Sequence, residues 1–117
     1  MTAVSSATAV SSVLAGKPVG GAPGGTLAST NPARLDDIVT RVDLADAATF
    51  VDACRIAREA QREWCDVPAP LRGRVIAYVG RLVEANAEAL ARIVTREIGK
   101  PYVEALGEVR EIVDTCD

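Results

Sequence analysis

Glu97-Ile98-Gly99-Lys100-Pro101 is the stretch on which the reading of this chain turns. Glycine two residues before proline is a stop followed by a start. Gly99 suits the left-handed position just past a helix C-terminus, and Pro101, with no N–H to lose, suits the first position of a new helix. Upstream, Leu90, Ile93, Val94 and Ile98 recur at helical spacing and run into Gly99. Downstream, Val103, Leu106, Val109, Ile112 and Val113 line one side of a second helix.

Working outward, Asn86 is placed to end one helix and cap the next, and Val75, Ile76, Val79, Leu82 and Val83 form the apolar stripe of the helix before it. That helix begins at Pro70 or Leu71, after the break at Asp66 to Pro70. A further helix opens at an Asp46 N-cap, with Phe50, Cys54, Ala57, Gln61 and Trp64 on or near one face. Trp64, the single tryptophan, is expected to anchor it against the rest of the fold. Before these helices, Ile38 to Leu44 alternates and is β-branched, the clearest strand of the chain. Thr26 to Ser29 reads as a strand ahead of the Asn31-Pro32 turn, and Val10 to Leu14 with Lys17 to Val19 reads as a short hairpin around Ala15-Gly16. Residues 1–25, rich in Ala, Ser and Gly, are expected to be flexible. The architecture expected is a short β region followed by four amphipathic helices.

Composition narrows the function classes. The 117 residues carry a net charge of −3, which excludes the basic footprint of a nucleic-acid binder. No stretch approaches the length of a membrane span, no basic leader precedes an apolar run, and a cytoplasmic protein is expected. Apolar residues make up 49% of the chain but aromatics only 3%. Alanine supplies much of the remainder; it favours helix yet buries little surface, so these helices call for a larger partner surface.

The candidate chemistry is thin. Gly20 to Thr26 imitates a phosphate loop, but Thr26 stands where the lysine would be needed and no helix follows. No G-x-G-x-x-G follows a strand. The three cysteines, Cys54, Cys65 and Cys116, lack the cation, helix N-terminus or paired base that would lower a thiol pKa, and there is no histidine. Glu104, Glu108 and Glu111 share a helix face with no opposing base, which reads as a solvated surface. Catalytic residues are therefore expected to be absent from this chain.

Taken in order and at their spacing, Asn31-Pro32-Ala33, Trp64, Pro70, Arg72, Leu82, Leu90, Glu97, Gly99-Lys100-Pro101, Glu104-Ala105 and Glu108-Val109 resemble the N-terminal portion of the NAD(P)-dependent aldehyde dehydrogenases. The similarity runs from about Lys17 to Asp117, and the ending from Leu106 looks most like the branch acting on α-aminoadipic semialdehyde and its piperideine form. The resemblance implies an α/β fold in which residues 26–117 are the outer part of the cofactor-binding domain, packed on a parallel sheet. Complete members oxidise an aldehyde to a carboxylate with NAD or NADP, through a thiohemiacetal on a cysteine in a Gly-Gln-x-Cys context. No position here matches that cysteine, the general base or the cofactor loop, so the chain alone is expected to bind no cofactor and to be inactive. Its implied partner is the remainder of such a fold, with homo-oligomers expected only of the complete enzyme. The resemblance also implies a structural monovalent cation, for which Thr30 (through its carbonyl) and Glu97 are the matching ligands; the other reading of Glu97 is local capping or pairing. A rival reading of the whole chain is a stand-alone helical interaction module without catalysis.

Overall fold

The computed structural model describes residues 8–117, with the side chains from Ala9 onward. Residues 1–7 of the N-terminal segment read as flexible lie outside the described residues. The order is five strands followed by four helices. The strands are β1 (Thr8–Val10), β2 (Val13–Leu14), β3 (Lys17–Pro18), β4 (Thr26–Asn31) and β5 (Arg34–Asp43). The helices are α1 (Ala47–Asp66), α2 (Ala69–Ala85), α3 (Ala87–Ile98) and α4 (Tyr102–Cys116).

β2 and β3 pair antiparallel across Ala15 and Gly16, both with positive φ (49° and 75°), as a two-residue hairpin turn demands. β4 and β5 form a longer hairpin whose register slips between Ser29 and Asn31, where the chain bends into the Asn31-Pro32 turn. The Ala33 N–H donates to Asn31 Oδ1 at 3.0 Å, so the asparagine side chain closes that turn. β5 begins four residues earlier than its alternating stretch. It is central in a sheet of order β1-β5-β4, and β1 joins it in parallel. That parallel pairing has no local sequence signal, because the two strands meet across some thirty intervening residues.

The helix boundaries follow from single residues. Asp46 Oδ1 accepts from the Thr49 N–H at 2.8 Å and from its hydroxyl at 2.7 Å, so α1 starts with a satisfied N-cap. These bonds, the backbone one foremost, hold the Asp46 carboxyl below its ordinary pKa. Asn86 ends α2 by donating its Nδ2 to the Leu82 carbonyl at 2.8 Å, but its side chain makes no capping bond to α3. Of its two expected roles it performs the first; with the amide turned back onto α2, the start of α3 lacks a side-chain cap. Gly99 ends α3 at φ 74°, and Pro101, read as the first helical position, is instead the N-cap, with ψ at 139°, so that α4 starts one residue later at Tyr102.

The core is small and helical. Ala91, Ala105 and Val109 are buried, with Val83, Ala87, Leu90, Val94, Tyr102 and Leu106 packed around them. α2 meets α4 through Gly80, where an added Cβ would lie 2.8 Å from the Cβ of Cys116; the missing side chain is what permits the close approach. The α4 stripe is rotated from the one read in the sequence: Tyr102, Ala105, Leu106 and Val109 face the core, whereas Val103 is 75% exposed. Alanine, too small to mark a stripe by hydropathy, occupies the innermost positions because it lets helices approach closely.

α1 behaves differently. None of its residues is buried, and Phe50, Cys54, Ala57, Gln61 and Trp64, read as its inward face, are all exposed. Trp64 therefore does not anchor α1 to the described core. Most of the α2 stripe is likewise open, with Val75, Ile76, Val79 and Leu82 between 44 and 49% exposed. The radius of gyration is 17.5 Å, against about 13 Å for a compact chain of this length.

Candidate functional site

Part of the motif converges in space: Asn31-Pro32, Glu97, Gly99-Lys100 and Glu108 meet at one junction, whereas Trp64 and Leu82 lie exposed away from it. The tip of the β4–β5 hairpin sits on the C-terminus of α3, and three contacts hold it there. The Ser29 hydroxyl donates to Glu97 Oε1 at 2.9 Å. Asp37 accepts from Arg96 in a forked arrangement, Nη2 to Oδ1 at 2.6 Å and Nε to Oδ2 at 3.3 Å. Pro32 covers Gly99, where an added Cβ would lie 2.8 Å from the proline Cγ. Gly99 is thus required twice, by its positive φ and by the ring above it.

Two planar hydrogen bonds between guanidinium and carboxylate fix orientation as well as distance. Asn31 adds to this pair: its Nδ2 donates to Asp37 Oδ2 at 3.1 Å while its Oδ1 receives the Ala33 N–H. The Arg96 bond above all, then the Asn31 bond, lowers the Asp37 carboxyl to a pKa of about 2. Arg96 is raised in turn by the same partner.

On the other side of Gly99, Lys100 forms an ion pair with Glu108 in the second turn of α4. Glu108, with weaker help from Glu104 and Glu111, raises the lysine pKa. The acidic face of α4 thereby has one paired member and is not a bare surface. Arg92 lies over the Tyr102 ring at 5.1 Å, tying α3 to the first residue of α4. The junction is consequently a clamp: the hairpin tip, the end of α3 and the start of α4 are joined by short polar contacts around one glycine.

Glu97 and Thr30, the residues read as cation ligands, fall within this clamp. Glu97 bonds to Ser29, and Thr30 is the next residue of β4, at the point where the register slips. A backbone carbonyl and a carboxylate are oxygen donors suited to a hard cation, but they are two where such an ion takes about six or more. Among the described residues no group of three or more His, Cys, Asp or Glu side chains is arranged to hold a metal. In this structure Glu97 pairs locally, through the Ser29 hydroxyl.

Cys54 and Cys65 are exposed and Cys116 half-buried, all three free. The Cys65 thiol donates to the Arg62 carbonyl at 3.0 Å, an ordinary helix-end contact. A surface depression at the α2–α3 turn, lined by Glu84 to Ala89, has carboxylates but no basic or nucleophilic side chain beside them. No helix among the described residues is long and apolar enough to cross a membrane. Sequence reading missed Ser29, Asp37 and Arg96 as members of the clamp. Their partners are 59 and 68 residues away, and only the Asn31-Pro32 turn and the implied pairing of Thr30 with Glu97 hinted that something was held there.

Comparison with known proteins agrees with the motif. The chain is 36% identical over 96 residues to aldehyde dehydrogenase family 7 member A1 of Pisum sativum, covering 82% of this chain and 19% of that protein. It is 42% identical over 79 residues to α-aminoadipic semialdehyde dehydrogenase of Bos taurus, covering 68% of this chain and 15% of the relative. Among solved structures, 3,6-anhydro-L-galactose dehydrogenase in complex with NAP superposes with a TM-score of 0.86 at 26% identity, over 92% of this chain and 22% of that one. The NAD-dependent aldehyde dehydrogenase of Sinorhizobium meliloti does so with a TM-score of 0.75 at 28% identity, over 94% of this chain and 22% of that one. The chain therefore spans roughly a fifth of the length of the proteins it matches. Residues 20–117 match the family described as the aldehyde dehydrogenase family, and this match over most of the chain establishes that the chain belongs to it.

Proposed function

We propose that residues 26–117 supply the outer layer of an aldehyde dehydrogenase cofactor-binding domain, without catalytic or cofactor-binding groups of their own. The observation that carries this reading is the contrast within the chain. Residues of the Asn31-Pro32 turn and of Glu97 to Lys100 assemble into a clamp, while the apolar faces of α1 and α2 stay open, with Phe50 at 68% and Val51 at 64% exposure. Open apolar faces on this scale call for a covering surface, and the partner we assign to them is the remainder of an aldehyde dehydrogenase fold.

In that setting the complete protein oxidises an aldehyde to a carboxylate, with NAD or NADP as the hydride acceptor. The relatives named for α-aminoadipic semialdehyde favour that semialdehyde as the substrate class. This chain's own residues contribute position. The Asp37–Arg96 fork and the Ser29–Glu97 bond hold the β4–β5 hairpin on α3, and Lys100–Glu108 ties the turn after α3 to α4. We further assign the Thr30 carbonyl and the Glu97 carboxylate as two ligands of a monovalent cation in the complete protein. Glu97→Gln in that protein should abolish any dependence of its melting temperature on K⁺ over Na⁺; an unchanged dependence would remove Glu97 from the assignment.

The function test is a thermal melt of residues 1–117 by circular dichroism, with and without NAD, beside an assay of NADH production from an aldehyde. The expected outcome is a helical chain with a broad transition, no shift on adding NAD and no NADH formed. A melting temperature raised by NAD would show a cofactor site within these residues and overturn the reading. A sharp, cooperative, NAD-insensitive melt would favour a stand-alone interaction module.

A further inference from the structure

We draw no further inference here: the strongest candidate, the exposed apolar faces of α1 and α2 around Phe50, Trp64, Val75 and Val79, is already assigned to the remainder of the fold in the function proposed above, and nothing in the structure shows a second occupant that covers them.

Discussion

α1 and α4 are both amphipathic helices, of 20 and 15 residues, yet only the shorter one has an inside. α4 buries Ala105 and Val109 between α2 and α3; α1 buries nothing. Helix signals are as good in α1 as anywhere. It has a bonded N-cap at Asp46 and an exposed Asp52–Arg55–Glu59 ion-pair ladder. Such local features add only tenths of a kcal/mol to about one each. Most helical stability in proteins comes from packing an apolar face. What separates the two helices is a partner for that face, supplied to α4 by Ala91 with Val83, Ala87, Leu90 and Val94 around it.

The largest test of this contrast is a charge in the α4 interior. Val109→Asp would place an unpaired carboxylate in the buried cluster around which Leu90, Val94 and Leu106 pack, at a cost of several kcal/mol. Loss of the α2–α4 helical signal in circular dichroism is the expected result; retention of it would mean that this contact does not hold the helices together. Gly99→Val comes next. It meets both the positive φ and the Pro32 ring, and should destabilise by about 2 kcal/mol or more, read from the urea midpoint. Gly73→Val, at a helical glycine with open space around it, lacks the clash and should lose less.

A third test separates the clamp from the core by pH. The Asp37 pKa is lowered to about 2 from an ordinary value of 3.8. The unfolded chain therefore binds this proton more tightly than the folded one. The stabilisation is complete above about pH 4 and is lost as pH falls through 2. Asp37→Asn should flatten that part of the acid-stability profile, whereas an unaltered profile would mean that Asp37 does not carry it. The smallest effect is expected on α1: Phe50→Ser should shift stability by no more than about 0.5 kcal/mol, as for an exposed site. A loss comparable to that in α4 would show that α1 is packed after all.

The sequence is most legible where one residue dictates local geometry. Asp46, Gly99 and Pro101 placed helix ends because each answers a backbone need within a turn of itself. Asn86 was half legible, since an amide that could serve either neighbouring helix does not declare which carbonyl or N–H it will choose. The stripes were less legible. Hydropathy favours Val103 and Ile112, which point outward, over Ala105, which lies deepest, because it weighs side-chain size and not how closely helices approach. In α1 and α2 periodicity reveals a face and not its occupant, so the expectation of a covering sheet came from the family resemblance and not from the apolar spacing. The clamp shows the same limit on the polar side. Glu97 and the Asn-Pro turn stood out, but nothing local pairs Arg96 with Asp37 or Ser29 with Glu97.

Amide hydrogen exchange of residues 1–117, resolved by element, tests the central claim most directly. The account predicts that amides of α3 and α4 around Ala91, Ala105 and Val109 are the slowest to exchange. Those of α1 from Phe50 to Trp64 should exchange through local opening, with far less protection. Equal protection of α1 and α4, lost together in one cooperative unfolding step, would contradict it and identify a self-contained domain in which α1 has already found its partner.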